Sequence, residues 1–480
     1  MHVMSEFVGR DLELKRLQEL FGLDRACVAV IKGRRRVGKS RLVEEFGRGK
    51  VFLSFSGLAP IEGITDQDQR DAFATRLAEQ FKLPPFTFTD WSDAFANLTF
   101  HLTDQKTVIL LDEISWMAFG DPTFVPKLKV WWDLVLQKYP KVVLVFCGSV
   151  SIWIDENIIN STAFFGRITL QLEISELSLA ESLELLRQKG NSRSDLDVFK
   201  ILSVTGGIPW YLEQIHPQQS IDENIKRLCF EKNGMLVEEF NRIFRDLFKK
   251  RGEIYEKIIK ALAKGMQNLD EIRDRVGYAL SGSLSQYLDA METSGYISKH
   301  YSWNLKTGHI GRQSLYRISD NYLHFYLKYI QPNLSKIRKN AFLDMPLSSL
   351  PGWETMMGFQ LENLLLKNRS LVLKALGIAP QDVTADNPYI QKSLVRQKGC
   401  QIDYLIQTHS NTFYVCEIKM RKREIGLEVI DAMKEKLRRF SVPKGFGVCP
   451  VLLHLGPISD ALLESRYFYK ILDVADFLDI

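Results

Sequence analysis

The chain has 480 residues, of which 45% are hydrophobic and 25% are charged, a balance that is ordinary for globular proteins. This length exceeds what one hydrophobic core usually serves, so two to four domains are expected. The formal net charge of +5 permits a nucleic-acid partner but does not by itself indicate one.

Cysteine usage and hydropathy exclude several classes of protein. The six cysteines lie far apart and form no Cys-x-x-Cys pair, which argues against a disulfide framework and against a zinc knuckle. The first residues mix acidic and basic side chains, and no run of 18 apolar residues occurs. We therefore expect a cytoplasmic protein in a reducing compartment, with no contact to a membrane.

A glycine-rich, basic segment near the N-terminus fits the pattern G-x-x-x-x-G-K-[ST] at every fixed position. It consists of Gly33, Arg34, Arg35, Arg36, Val37, Gly38, Lys39 and Ser40, and Arg41 follows it. An apolar run precedes the segment and a helix-like stretch follows, which is the context that this phosphate-binding loop requires. Glycines let backbone N–H groups point at phosphate oxygens, and the helix adds its positive dipole end. We expect residues 33–41 to bind the nucleotide, with Lys39 on the β- and γ-phosphates and Ser40 on Mg²⁺.

A second apolar run, 107–111, ends in two acids, Asp112 and Glu113. A continuous apolar run is typical of a buried parallel strand, and ligands bind at the carboxyl ends of such strands. Asp112 is expected to hold Mg²⁺ through water, and Glu113 to polarise the water that attacks the γ-phosphate.

Two further residues are candidates for the same reaction. A third apolar run ends in Gly148 and Ser149, and Ser149 is placed to sense the γ-phosphate or the attacking water. A simple strand-ending turn is the alternative for Ser149. Arg167 could contact the γ-phosphate in the same chain or in a neighbouring subunit, as arginine fingers do. A purely structural surface arginine is an equal alternative, and action on a neighbour would require a homo-oligomer.

Residues 175–249 contain helix-like segments, and the turn Gly206-Gly207-Ile208-Pro209 interrupts them. Four other segments accompany this turn: Phe-Val-Gly-Arg at 7–10, the phosphate loop, Leu-Leu-Asp-Glu at 110–113 and Phe-Gly-Arg at 165–167. Together the five segments resemble the motifs of the archaeal and bacterial P-loop ATPase family related to AAA+ proteins. The resemblance covers about the first 245 residues. It implies an ATPase core at 1–174 and a helical lid at 175–249. It also implies that Val8, Gly9, Gly207 and Pro209 frame the adenine of ATP or ADP.

Residues 250–330 read as three helices followed by a strand pair, which looks like a winged helix. The third helix offers no Arg or Lys, whereas the strand pair offers Lys299, His300, Lys306 and Arg312. Contact with nucleic-acid phosphates through the wing and a role as a protein–protein spacer both remain open. Residues 331–352, with three prolines, read as a linker.

The segment 353–480 carries a second group of charged residues. Asp403 follows Gln-Ile, and Glu417 and Lys419 share one face of a strand because the side-chain period is two. Two carboxylates and a lysine suit metal-dependent phosphodiester cleavage, in which Asp403 and Glu417 hold Mg²⁺ and Lys419 positions water or neutralises charge. The pattern resembles the PD-(D/E)xK nuclease superfamily, in which Glu362 matches an acid on the first helix. Ile402 departs from the proline that many members carry.

The stretch 391–440 contains eleven Lys and Arg against six Asp and Glu, and such a field favours phosphate backbones. The fold expected for the whole chain is therefore multidomain α/β: a P-loop parallel-sheet ATPase with helical lid, a winged helix, and a C-terminal restriction-endonuclease-like domain. The expected function is Mg–ATP hydrolysis that controls a nuclease-like domain acting on DNA. Two alternatives stand beside it: a regulatory ATPase whose last domain binds nucleic acid or a protein without cleavage, and, with little support, a transporter-type ATPase.

Overall fold

The computed structural model describes residues 7–149, 152–190, 193–248, 252–277, 281–391, 393 and 398–479. The chain divides into two compact units, Met1–Glu176 and Leu177–Ile480, called here the first and the second unit. The finer division of 175–480 into lid, winged helix, linker and nuclease-like domain stays a prediction.

The first unit is built on a five-stranded parallel sheet in the order β2-β3-β4-β1-β5. Its strands are β1 (Cys27–Gly33), β2 (Val51–Ser56), β3 (Thr107–Asp112), β4 (Val142–Ser149) and β5 (Ile168–Ile174). Its α-helices are α1 (Asp11–Glu19), α2 (Lys39–Gly47), α3 (Asp66–Phe81), α4 (Trp91–Phe100), α5 (Ile114–Met117), α6 (Phe124–Leu134) and α7 (Ile152–Ile154). Shorter 3₁₀ or π turns occur at Leu20–Gly22, Leu136–Lys138 and Asp155–Ile159.

The sheet brings the predicted nucleotide residues to one edge. Strands β1, β3 and β4 are buried along almost their whole length, as the apolar runs predict for parallel strands covered on both faces. Gly33 at the end of β1 is in register with Ser149 at the end of β4. Since β3 runs parallel to β4, its terminal Asp112 lies at the same carboxyl edge.

Helix α3 was not predicted, because its sequence is rich in polar residues. A capping box between Thr65 and Asp68 starts it, with both reciprocal hydrogen bonds formed. Its inner face carries Phe73, whose ring stacks on Phe55 at a centroid distance of 4.1 Å and meets Trp91 edge-on at 5.5 Å. The apolar stripe is narrow, so the packing of aromatic rings, rather than helical periodicity, fixes this helix on the sheet.

The second unit contains a mixed five-stranded sheet in the order β13-β12-β11-β10-β9 and a three-stranded sheet in the order β6-β8-β7. The strands are β6 (Gln267–Asn268), β7 (Ile297–Trp303), β8 (Ile310–Ile318), β9 (Val383–Gln391), β10 (Cys400–Thr408), β11 (Thr412–Met420), β12 (Gly447–Leu455) and β13 (Lys470–Asp473). In the larger sheet β9, β10 and β11 are antiparallel neighbours, and β11, β12 and β13 run parallel.

Fourteen α-helices belong to the described part of this second unit, and most of the predicted helical segments fall on them. They are α8 (Leu179–Gln188), α9 (Asp195–Thr205), α10 (Pro209–Leu212), α11 (Ile221–Cys229), α12 (Glu239–Phe248), α13 (Gly252–Leu262), α14 (Leu269–Val276), α15 (Ser281–Thr293), α16 (Asn321–Phe325), α17 (Leu334–Ile337), α18 (Trp353–Lys367), α19 (Arg369–Leu376), α20 (Glu428–Arg439) and α21 (Asp460–Glu464). Short 3₁₀ or π turns lie at Tyr326–Ile330, Gln331–Asn333, Leu347–Ser349, Pro380–Asp382 and Val474–Leu478.

The β7–β8 hairpin, which the sequence suggested as the wing of a winged helix, packs on the larger sheet of the second unit. Trp303 Nε1 donates a hydrogen bond of 2.7 Å to Gln407 Oε1 on β10. His300 Nδ1 lies 3.1 Å from Asn387 Oδ1 on β9, and the His300 side chain is buried. The expectation that His300 is available to contact phosphates is therefore wrong, because its packing against β9 buries the side chain. Lys306 and Arg312 are exposed.

The segment predicted as a linker is itself packed. Ile337, Phe342, Leu347 and Leu350 are all buried, and Phe342 lies 5.1 Å from the ring of Phe230. Among the described residues, no helix combines the length and the apolar character that crossing a membrane requires.

Candidate functional site

The loop that links β1 to α2 has the backbone geometry of a phosphate cradle. A Cβ on Gly33 would lie 2.3 Å from the carbonyl oxygen of Ile174, so the close approach of β5 requires glycine there. Gly38 has a φ of 89° and precedes α2 without any side-chain cap. The first N–H groups of a helix have no partner within the helix, and here no capping side chain takes them. They are thus oriented to receive a phosphate oxygen.

Lys39 and Ser40, the first two residues of α2, have defined hydrogen-bond partners. The ammonium of Lys39 is buried and donates hydrogen bonds of 3.0 Å each to the carbonyl oxygens of Gly33 and Arg34. Ser40 Oγ donates a hydrogen bond of 2.7 Å to Asp112 Oδ2. A hydroxyl and a carboxylate oxygen at this separation form a hard-oxygen pair that fits Mg²⁺. The predicted pair for the metal is therefore assembled by the fold.

Glu113 lies beside this pair in an unusual backbone conformation. Its φ of 48° is in the left-handed region, which a residue with a Cβ adopts only at a cost of roughly 1–2 kcal/mol. Ser149 holds its carboxylate: the Ser149 hydroxyl donates to Glu113 Oε1 at 3.2 Å, and the Ser149 N–H donates to Oε2 at 3.4 Å. Burial raises the pKa of Glu113, and the charge of nearby Lys39 lowers it in part. A strained, largely desolvated carboxylate with a raised pKa is typical of a general base.

The turn at Val8 and Gly9 is tied to the phosphate loop by a residue that the sequence analysis missed. Gly9 and Arg10 have φ values of 67° and 63°. The buried Arg10 guanidinium donates to the carbonyl oxygen of Val37 at 3.4 Å and to that of Ser175 at 2.5 Å. In the sequence Arg10 belongs to the Phe-Val-Gly-Arg segment, and the local pattern gives no signal for its burial.

The other basic residues of the loop differ in their surroundings. The buried side chain of Arg34 pairs with Glu176 at 3.3 Å, and Arg41 pairs with Glu44 at 3.4 Å on α2. Arg35 and Arg36 are partly exposed, and Arg36 has a φ of 73°. Contacts of these four arginines with a nucleotide stay predictions.

Gly207 and Pro209, the other predicted adenine residues, belong to the second unit. A Cβ on Gly207 would lie 2.2 Å from the carbonyl oxygen of Leu177, and Pro209 is the first residue of α10. The carbonyl of Gly207 accepts a hydrogen bond of 2.8 Å from the N–H of Leu177. This turn is thus packed against the start of its own unit, and its adenine contact stays a prediction.

Arg167 forms a bidentate ion pair within the first unit. Its Nε lies 2.6 Å from Asp133 Oδ1 and its Nη2 lies 2.9 Å from Asp133 Oδ2, with Asp133 on α6. The hydrogen bond from Arg167 lowers the pKa of Asp133. The structure thus supplies a structural partner for Arg167, while its contact with a γ-phosphate stays a prediction.

The ion pair predicts a loss of stability for both of its partners. Arg167→Ala should lower the free energy of unfolding by about 1 kcal/mol, and Asp133→Ala by at least as much, because Asp133 also pairs with Lys129 at 2.9 Å. Urea unfolding of the two variants and of the double variant measures this; additive losses would contradict it. The stabilisation exists at neutral pH and is lost as the pH falls through the lowered pKa of Asp133. A loss of ATP turnover confined to Arg167→Ala would indicate a nucleotide contact, since Asp133→Ala breaks the same pair.

In the second unit, three predicted residues meet on the β10–β11 hairpin. Tyr404 pairs with Cys416 in the antiparallel register. Asp403 precedes Tyr404 and Glu417 follows Cys416, so these two acids lie opposite each other. Asp403 Oδ2 accepts a hydrogen bond of 3.0 Å from the N–H of Ile418, and Lys419 Nζ lies 2.5 Å from Glu417 Oε1.

A fourth member of this group, Lys436 on α20, was missed by the sequence analysis. Its ammonium contacts Glu417 Oε2 and lies 3.5 Å from Asp403 Oδ1. We call Asp403, Glu417, Lys419 and Lys436 the acid–lysine cluster. Lys436 follows the buried Met433 by three positions and Val429 by seven, so it continues the apolar stripe of α20. A lysine within an apolar stripe of a helix is the sequence signal that could have indicated a buried ion pair at Lys436.

Glu362 and Arg317 adjoin this cluster. Arg317, on β8, is buried; its Nη1 lies 3.7 Å from Glu362 Oε2 on α18, and its guanidinium lies 4.3 Å from the centre of the Phe359 ring. Burial and then the charge of Asp403 raise the pKa of Glu362 to about 7. Burial also raises the pKa of Asp403. For Glu417 burial opposes ionisation, but the combined attraction of Lys436 and Lys419 outweighs it and lowers the pKa.

The acid–lysine cluster offers a divalent cation two carboxylates. Among the described residues, no group of three or more His, Cys, Asp or Glu side chains could hold a metal ion. Asp403 and Glu417 nevertheless share one cationic neighbour, the ammonium of Lys436, so their oxygens already converge on a positive charge. Two carboxylates completed by water fit Mg²⁺, which commonly keeps several water ligands.

Comparison with known proteins gives a family match for part of the chain. Residues 7–215 match the family described as an ATPase domain predominantly from Archaea. An uncharacterised protein of Methanocaldococcus jannaschii is 25% identical over 344 residues, which cover 70% of this chain and 71% of that protein.

The solved structures to which this chain is similar include proteins of Pyrococcus abyssi and Aeropyrum pernix. A Walker-type ATPase of Pyrococcus abyssi is 17% identical with a TM-score of 0.46, over 67% of this chain and 96% of that one. The ORC2 protein of Aeropyrum pernix, solved as ADPNP–ADP complexes, is 13% identical with a TM-score of 0.42, over 71% and 97% of the two chains. By sequence, residues 7–215 are thus similar to a P-loop ATPase domain found predominantly in Archaea.

Proposed function

We propose that this chain is a Mg²⁺-dependent ATPase that controls a metal-dependent nuclease site in its C-terminal region, with DNA as the substrate of that site. The observation that carries the ATPase part is the hydrogen bond between Ser40 and Asp112 beside the Glu113–Ser149 pair. The observation that carries the nuclease part is the convergence of Asp403, Glu417 and two lysines on one hairpin.

In ATP hydrolysis the residues of the first unit have distinct tasks. Lys39 would leave the carbonyls of Gly33 and Arg34 for the β- and γ-phosphate oxygens. Ser40 and Asp112 would hold Mg²⁺, which would neutralise charge on those phosphates. Glu113, fixed by Ser149, accepts a proton from the attacking water. Burial of Glu113 strengthens its basicity by raising its pKa.

In the nuclease site, Asp403 and Glu417 would hold Mg²⁺, which supplies an activated water and stabilises the pentavalent phosphate. Lys419 would orient the attacking water or neutralise the developing charge. Three exposed basic residues, Arg421, Lys422 and Arg423, follow Lys419 after one intervening methionine and favour binding of a phosphate backbone.

Cleavage of plasmid and single-stranded DNA in Mg²⁺ or Mn²⁺ tests this proposal. Lys419→Ala should lower the cleavage rate by about 100-fold, because it removes a charge from the reacting centre. Lys434→Ala, on an exposed lysine of α20 that pairs with Asp431, is the matched control and should retain full activity. The proposal requires that ATP change the cleavage rate of the wild type.

A second candidate function is a regulatory ATPase whose last domain binds nucleic acid or a protein without cutting. The contacts of Lys436 with both acids favour it, because an ammonium already compensates the charges that a metal would use. Intact ATP turnover without any metal-dependent cleavage above the Lys419→Ala background would decide for this alternative.

A further inference from the structure

Lys436 connects the two acids on which the proposed nuclease site depends. Its ammonium contacts Glu417 Oε2 and lies 3.5 Å from Asp403 Oδ1, whereas Lys419 contacts Glu417 alone. Lys436 is also the less exposed of the two lysines, with 16% of its side chain accessible against 29% for Lys419. A cation bound to both acids at once needs the position that the ammonium of Lys436 takes.

Among the described residues, the charges of this region balance without a metal when Glu362 is ionised. The ion pairs join three carboxylates, those of Glu362, Asp403 and Glu417, to three cations, those of Arg317, Lys419 and Lys436. A divalent cation added to this arrangement would leave a net charge of +2 in a largely buried region. Uncompensated buried charge is strongly unfavourable, so a cation that enters must expel a positive side chain.

We propose that Lys436 is the resident counter-cation of the acid pair, and that a divalent cation binds Asp403 and Glu417 only by displacing the ammonium of Lys436. This inference rests on the proposed nuclease site and adds its regulation: Lys436 sets the metal concentration at which the site becomes loaded. The flexible stem of Lys436 leaves from α20, a separate element from the hairpin, so its withdrawal does not disturb β10 or β11.

Mn²⁺ binding to the nucleotide-free full chain, followed by electron paramagnetic resonance, tests the proposal without any activity assay. Lys436→Met keeps the length of the side chain and removes the charge, and it should lower the dissociation constant for Mn²⁺ by about tenfold or more. Lys434→Met, two residues away and exposed, is the control and should change it by less than about twofold. Circular dichroism establishes that each variant is folded.

The wild-type chain gives a second measurement that needs no variant. Acetic anhydride should modify Lys436 slowly in metal-free protein and several-fold faster in saturating Mn²⁺, with Lys434 modified equally in both, as mass spectrometry of peptides would report.

The outcomes separate this inference from the function on which it rests. If Lys436→Met binds Mn²⁺ through Asp403 but no more tightly than the wild type, the proposal that the cation displaces Lys436 is wrong. The proposed metal site at Asp403 and Glu417 is then retained. If Asp403→Asn binds Mn²⁺ as tightly as the wild type, the metal does not use these acids, and the proposed nuclease site is overturned. Tighter binding in Lys436→Met that is lost in the Lys436→Met, Asp403→Asn double variant supports both.

Discussion

Glu113→Gln should lower the turnover number for ATP by about 100-fold or more, because the amide cannot accept a proton from the attacking water. The substitution keeps the size of the side chain and its hydrogen-bonding reach to Ser149, which now holds the carboxylate at 3.2 Å. ATP affinity should therefore change by less than about threefold, since a base acting only in the transition state adds little to ground-state binding. Steady-state ATPase assays and titration with a fluorescent ATP analogue measure the two quantities.

Glu19→Gln, on the exposed side of α1, is the matched control and should be fully active. A Glu113→Gln protein with near-normal turnover would show that another group activates the water.

The pH dependence of turnover provides an independent check on the role of Glu113. The base works only when ionised, and burial raises its pKa. Turnover should therefore fall on acidification at a higher pH than an ordinary glutamate would give, and Glu113→Gln should remove this limb of the profile. An acidic limb that survives in Glu113→Gln would belong to a different group.

Much of the geometry of the candidate nucleotide site could be predicted from the sequence because its determinants are local. The spacing of Gly33, Gly38, Lys39 and Ser40 fixes a loop between a strand and a helix, and parallel strands gather their carboxyl ends at one edge. Asp112 lies 72 residues after Ser40 in the sequence, and the two side chains share a hydrogen bond. The apolar run of β3 was enough to predict that Asp112 lies at the same edge as Ser40.

The contacts that sequence reasoning missed are made by side chains from distant elements. Lys436 reaches Glu417 from the next helix, and Arg317 reaches Glu362 from the β7–β8 hairpin. A buried charge of this kind is stable only when its partner is in place, and the partner is defined by tertiary packing rather than by local pattern. For His300 the local pattern predicted exposure on a wing, whereas the side chain is buried and contacts Asn387 of another sheet.

The acidic site illustrates why a motif predicts position better than chemistry. The Glu-x-Lys spacing placed Glu417 and Lys419 on one face, and their ion pair of 2.5 Å follows from the strand period. Whether that face holds a metal depends on the total charge around it, to which Lys436 and Arg317 contribute as much as the motif does. Electrostatic balance in a buried cluster is a property of the assembled fold.

Lys39→Ala should lower ATP turnover by about 100- to 1,000-fold, because in the proposed mechanism the ammonium moves to the transferred phosphate as its charged donor. Hydrogen bonds of 3.0 Å to two carbonyl oxygens already restrict the Lys39 side chain inside the loop. Little further side-chain entropy is therefore lost when Lys39 binds the phosphates. ATP affinity should weaken as well, by about tenfold, since the lysine contacts phosphates in the ground state too. Lys15→Ala, exposed on α1, should leave both quantities unchanged.

The same variant tests whether the two activities are coupled. If ATP bound at this loop controls the acid–lysine cluster, Lys39→Ala should retain metal-dependent DNA cleavage but lose most of the difference between assays with and without ATP, at an ATP concentration that half-saturates the wild type. Coupling between two sites requires that each ligand favour a different state of the protein, so weaker ATP binding must shrink the effect and leave basal cleavage intact. Cleavage that responds to this ATP concentration as strongly in Lys39→Ala as in the wild type would place the controlling nucleotide elsewhere and separate the ATPase from the nuclease-like site.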